Sequence, residues 1–206
     1  MGKSAGNGHG NGGSKSGGFM GTVKEVLNRG LARAAEMAPP TDDAVDALDL
    51  LKAQHQNVEK LFSEIESATG PRKRALFNEL ADMLAVHATI EEKVFYPNVK
   101  RPSTEDLLLE SAEEHLGIKR SIADLLDTDV DDQTFDAKVK VLKEQVVHHA
   151  KKEEEAKLFP IVRAEVDSDF LAALASEMIA LMVEIEQRPE APRTHVPEET
   201  DAPASI

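Results

Sequence analysis

Seven histidines occur in the 206-residue chain, and five of them, His55, His87, His115, His148 and His149, fall within stretches of helical apolar spacing. A neutral imidazole offers a nitrogen lone pair to a transition metal, and a glutamate one helical turn away adds a carboxylate oxygen. His87-x-x-x-Glu91 and His149-x-x-x-Glu153 have that arrangement, since side chains four residues apart share one face of a helix. His55 and His115 have no such partner and would each bring a single nitrogen. The chain contains no cysteine, so thiolate ligation and iron–sulfur clusters are excluded and any metal must be held by nitrogen and oxygen.

Four helices are needed to bring these residues together, and the apolar pattern supplies them. The series are Leu48, Leu51, His55, Val58, Phe62, Ile65; then Leu80, Leu84, His87, Glu91, Val94. The third is Leu108, Ala112, His115, Ile118, Ile122, Leu125, and the fourth is Phe135, Val139, Leu142, Val146, His149, Glu153, Ala156. Steps of three and four residues mark a seam that faces a bundle interior, and each seam carries one histidine. A bare carboxylate in such an interior is costly, so Glu91 and Glu153 call for a positive neighbour. Bound cations fit, with imidazole and carboxylate together suiting iron, zinc or manganese. Six ligands from four helices exceed a tetrahedral zinc site and point to two metals bridged by carboxylates. His148 falls off the seam, His9 and His195 sit in the tails, and Lys119 lies either at the bundle rim or beside the carboxylates.

The punctuation of the chain divides it into five parts. Residues 1–18 are almost all Gly, Ser, Asn and Lys and read as a disordered arm; residues 19–40 read as a short amphipathic helix and linker ending at Pro39-Pro40. Residues 41–160 hold the four helices, expected to start at Thr41-Asp42-Asp43, Pro71, a Ser103-x-x-Asp106 capping box and Asp131-Asp132, with the second stopping at Pro97 and the fourth at Pro160. Residues 161–188 form an additional helix, and the Pro- and Glu-rich residues 189–206 a disordered tail. Short connections favour antiparallel neighbours, so the expected fold is all-α: an up-down-up-down four-helix bundle with a short N-terminal and an extra C-terminal helix.

Composition agrees. Aromatic residues make up only 4% of the chain, the profile of a helical protein, and the formal net charge of -14 argues against nucleic acid as the main partner. Through residue 38 the balance is reversed, with Lys3, Lys15, Lys24, Arg29 and Arg33 against Glu25 and Glu36, so the arm could dock on the acidic body. With no apolar run long enough to span a bilayer, the expectation is a soluble, cytoplasmic protein with no transmembrane segment.

His87-Ala-Thr-Ile-Glu91-Glu92-Lys-Val-Phe95-Tyr96-Pro97 and His148-His149-Ala-Lys-Lys-Glu153-Glu154-Glu155-Ala-Lys-Leu158-Phe159-Pro160, with His55 before and His115 between, resemble the hemerythrin-like or HHE cation-binding domain family. The resemblance covers about Asp46 to Pro160. It implies two non-haem iron ions with oxo or hydroxo bridges, and a protein that binds or senses oxygen, peroxide or nitric oxide. His55, His87, Glu91, His115 and His149 carry the family pattern, with Glu153 as the last acidic ligand on seam register and Glu154 as the second choice. Oxygen-carrying members have His-x-x-x-His on the third helix; Lys119 stands in the second place here, which turns the expectation away from reversible oxygen carriage and leaves room for peroxide-reactive di-iron activity. The alternative is a metal-buffering or iron-responsive regulatory module without turnover.

Overall fold

The computed structural model describes residues 45–206; the arm and the helix expected over 19–40 lie outside the described residues, as does the Thr41-Asp42-Asp43 start. Helix α1 spans Ala47–Ser67, and Asp46 caps it, its carboxylate accepting from the backbone N–H of Leu48 at 2.9 Å and Asp49 at 3.1 Å. The chain then turns at Gly70, whose φ of 53° falls in the left-handed region that a side chain disfavours.

Helix α2 is α-helical over Gly70–Ile90, widens to a π-turn over Glu91–Phe95 and narrows again over Tyr96–Val99. Helix α3 spans Glu105–Asp127. Helix α4 begins at Phe135, becomes a π-helix over His148–Leu158 and finishes as an α-helix over Phe159–Glu165; α5 follows over Ser168–Glu186 behind an Asp167 cap. Pro97 and Pro160 therefore do not end their helices as expected. Each lies two residues beyond a π segment, where the ladder is already interrupted and a missing N–H costs little. The Ser103-x-x-Asp106 box also does not form. The helix starts later, Thr104 stands at its N-cap bonded to the Val99 carbonyl at 2.9 Å, and Ser103 donates to Glu165 at 2.6 Å.

Among the described residues there is no strand, and no helix is long and apolar enough to cross a membrane. Helix α1 packs on α2 and α5, and α3 packs on α4. The buried apolar residues fall into two clusters. One gathers Leu48, Leu51, Ile90, Phe95, Leu108, Leu158 and Phe159 with the inner face of α5; the other gathers Val58, Phe62, Phe77, Leu80, Ile118, Leu142 and Val146. On α1 to α4 the metal-type side chains stand at the border between the two clusters. Along α1 and α3 the first cluster precedes the histidine; along α2 and α4 it follows it, Val86 beside His87 excepted.

The expectation of a disordered tail is also corrected. Pro192–Glu199 forms a 3-10 turn packed on α2 and α3, with Val196 buried and Arg193 bound through backbone and guanidinium to the buried Asp82. A Pro-rich composition hides this, because one apolar anchor and two charges complementary to the helices suffice to seat the segment.

Candidate metal centre

The layer between the clusters holds His55, His87, Glu91, His115, His149 and Glu154, all buried, with Glu91 and Glu154 at 0% exposure. Their donor atoms form two overlapping groups in which every atom lies within 4.8 Å of the others: His55, His87, Glu91 and Glu154 in one, and Glu91, His115 and His149 in the second. Glu91 belongs to both. Its Oε2 is 3.1 Å from His87 Nε2 and 3.2 Å from His115 Nε2. Glu154 Oε2 is 3.2 Å from His55 Nε2 and 3.5 Å from His149 Nε2.

The π segments set this geometry. In the α4 π-helix the Phe159 N–H bonds to the Glu154 carbonyl five residues back, and in α2 the Tyr96 N–H bonds to the Glu91 carbonyl. A wider turn brings residues five apart onto one face, so His149 meets Glu154 and Glu91 meets Tyr96. Glu153, favoured by an α-helical register, is buried but turned away from the two donor groups: it joins the half-exposed His148 at 3.3 Å, near Glu114, and pairs with Lys157.

A second ring of acceptors holds the imidazoles. His55 Nδ1 faces Glu155 at 2.8 Å, His87 Nδ1 faces Gln54 Oε1 at 2.7 Å, His115 Nδ1 faces Glu92 at 3.0 Å, and His149 Nδ1 faces Glu114 at 2.8 Å. Each of these oxygens accepts, so each Nδ1 carries a proton, and a ring without a second proton turns its Nε2 lone pair inward. The consequence is sharpest at His115 and His149, whose Nε2 atoms stand 3.0 Å apart. Two lone pairs at that distance repel, unless a proton or a cation lies between them. His55 Nε2, Glu91 Oε1 and Glu154 Oε2 are buried without a hydrogen bond. A site with three buried polar atoms that lack hydrogen bonds and with imidazole nitrogens converging on two carboxylates fits bound cations, and its nitrogen and oxygen donors suit iron, zinc or manganese.

Burial opposes a proton on His55, but Glu154 and Glu155 override it and raise its pKa to about 9, so at neutral pH without a metal this ring holds a second proton, which a bound cation would displace. Burial and the neighbouring His55 hold His87 well below the usual imidazole range, while burial and Glu154 push Glu91 well above the usual carboxylate range. For Glu154 burial works upward, yet His149 and His55 hold it below that range. Tyr96 completes the cavity: burial and Glu154 keep its hydroxyl protonated, and it donates to Glu154 Oε1 at 3.0 Å.

Sequence patterns did not single out Gln54, Tyr96, Glu92, Glu114 or Glu155. Glu92 and Glu155 sit inside acidic runs that read as solvated faces; Gln54 and Glu114 each serve a histidine on another helix. Lys119 pairs with Glu92 and with Glu199, at 2.8 Å each, so it steadies the acceptor behind His115 and reaches the C-terminal segment.

A buried layer of imidazoles and carboxylates, inside an all-helical fold, defines a cation-binding helical protein. The model of the hemerythrin HHE cation binding domain matches residues 46–162, and the chain belongs to that family. A hemerythrin HHE cation binding domain-containing protein from Mycobacterium kansasii, known from a crystal structure, superposes with a TM-score of 0.64 at 23% identity, over 74% of this chain and 99% of that one. A DNA nickase from Nostoc sp. strain PCC 7120 is 28% identical over 141 residues, 68% of this chain. The chain spans only 40% of the nickase's length.

Proposed function

We propose that this chain is a non-haem di-iron hemerythrin-like protein that binds or senses oxygen, peroxide or nitric oxide. The observation that carries the reading is the pair of donor groups sharing Glu91. His55 and His87 would hold one ion, His115 and His149 the other, with Glu91 and Glu154 reaching toward both. The reversed order of the two apolar clusters along successive helices supports an antiparallel up-down-up-down four-helix bundle around this layer.

Bound iron would supply redox chemistry and a coordination position open to a small ligand. The chain's own residues do the rest. Gln54, Glu92, Glu114 and Glu155 fix the tautomer and direction of the four imidazoles and make their Nε2 atoms more basic. Tyr96 holds a proton at its hydroxyl between Glu91 and Glu154, so a hydrogen-bond donor faces the carboxylates inside the buried layer. One turn after His115 stands Lys119 rather than a histidine, engaged with Glu92 and Glu199, which leaves fewer protein ligands than an oxygen carrier has.

Metal analysis of the purified protein together with the optical spectrum of its oxidised form tests the reading. About two irons per chain with near-ultraviolet bands of an oxo-bridged pair are expected. Full occupancy by zinc without such bands, or saturation at one ion, would overturn it. Anaerobic reduction followed by addition of oxygen, peroxide or nitric oxide, each followed optically, then distinguishes a reactive centre from a metal buffer.

A further inference from the structure

A small chamber adjoins the histidine layer on the side of the second apolar cluster. His55, His87, His115 and His149 form one wall, and apolar side chains such as Val58, Leu84 and Val146 form the others. It leaves about 20 Å³ for the centre of a water-sized molecule, room for one small guest, since ~10–15 Å³ suffices for a water. Outside it lies a wider, more polar vestibule of about 210 Å³, bordered by Thr89, Lys93 and His195. The two spaces share three lining residues: Ala85, Lys119 and Val196. Ala85 and Lys119 belong to helices α2 and α3. Val196 comes from the C-terminal 3-10 turn, beyond the residues that match the family model.

We propose that the segment Pro192–Glu199 is the closure of the ligand chamber, with Val196 as its seal, so that the site admits small uncharged diatomic molecules and keeps out water and charged solutes. The proposal rests on the di-iron reading for its ligand class, though not for its geometry. Val196 is 3% exposed and belongs to the same apolar cluster as Phe62 and Leu142, so it fills space in the core rather than resting on the surface. Two ion pairs latch the segment on either side of it. Arg193 binds Asp82 of α2, and Glu199 binds Lys119 of α3 at 2.8 Å. The latches differ in depth. Asp82 is buried, so its partner is costly to remove, whereas Glu199 is half-exposed and its pair is the easier to part. Opening at the Glu199 end lifts Val196 while Arg193 stays anchored, and frees Lys119 at the same time. The ammonium of Lys119 then faces the entrance, still held by Glu92 behind His115. An apolar seal hydrated only during such openings favours a guest that pays no desolvation penalty, as oxygen and nitric oxide do and anions do not.

The test compares the full-length protein with Glu199→Gln, Arg193→Ala and Val196→Ala. In the metal-free full chain, diethyl pyrocarbonate modification of His55, His87, His115 and His149 is followed residue by residue by mass spectrometry, with the exposed His148 as internal reference. In the iron-loaded chain, transfer of iron to an anionic chelator is timed. Glu199→Gln and Val196→Ala are expected to speed both processes, and Arg193→Ala by about tenfold or more, since it removes hydrogen bonds to a buried charge. Helix content and iron stoichiometry should stay those of the parent. Unchanged rates in all three variants would overturn the closure. So would equal acceleration of amide exchange throughout α1 to α4, which marks general loosening. If the protein takes up no iron, the di-iron reading fails, while the modification rates still decide whether the segment seals the chamber.

Discussion

Replacing Glu154 by Gln has two effects of opposite sign, and both follow from its surroundings. Glu154 is wholly buried; Oε1 accepts from Tyr96 at 3.0 Å, and Oε2 lacks any hydrogen bond beside the imidazole nitrogens of His55 and His149. Glutamine keeps the oxygen that Tyr96 needs and places an amide N–H against those lone pairs. Above about pH 9, where His55 is neutral, the metal-free protein should then be as stable as the parent or more so, by up to about 1–3 kcal/mol, the cost of leaving a buried polar group unsatisfied; at lower pH that gain is offset by loss of the carboxylate that holds the second proton on His55. Metal binding should fall sharply. Changing a residue behind a ligand weakens affinity by about 10–100-fold, and losing a buried, charged ligand that reaches both donor groups should exceed the upper end of that range, so that iron content drops from two per chain to one or fewer. Glu153→Gln is the control: facing His148 and Lys157, it should change affinity by less than a factor of two. Iron per chain after desalting, anaerobic titration calorimetry and thermal melts with and without chelator read all three quantities. Loss of iron in Glu153→Gln with retention in Glu154→Gln would refute the π-helical register and the argument built on it.

Chelation of the parent should lower its melting temperature by about 10–20 °C, from roughly 2.7 kcal/mol for each of two ions at a hundredfold excess over Kd and about 2–4 °C per kcal/mol for a domain of this size; calorimetry with and without iron measures it. Gln54→Ala removes the acceptor behind His87 and should weaken metal affinity by about 10–100-fold with little change in helix content, seen by titration calorimetry and circular dichroism. Phe62→Ala, in the apolar cluster away from α5, should cost about 3–5 kcal/mol in urea unfolding while leaving iron stoichiometry intact at low temperature.

The four histidines and Glu91 are legible in the sequence because each interrupts an apolar series at a position that must face inward, whatever the details of the helix. Glu153 against Glu154 is different in kind. A seam argument presumes a constant α-helical period, and the π segment over His148–Leu158 breaks that presumption at the residue in question. The prolines mislead for the same reason, since a helix already interrupted tolerates them. Gln54 and Glu114 could not be read from spacing at all: they serve His87 and His149 across helices, and only the packing of α1 on α2 and α3 on α4 brings them within reach. Val196 escaped notice because a single apolar residue in a Pro-rich tail has no period.

The polar layer that divides the apolar residues into two clusters also divides the protein's cooperativity. Without cations the two halves of the core are joined by the helices that run through both and by the hydrogen bonds of the layer between them, where buried carboxylates and the facing His115 and His149 nitrogens are crowded together. Such a molecule can open one half while the other stays closed, as two separate folding units. Cations held by ligands from all four helices would tie the halves into one. Iron would thus convert a protein that breathes in sections into one that opens only as a whole, and the span of that conversion is the length of helix on either side of His55, His87, His115 and His149.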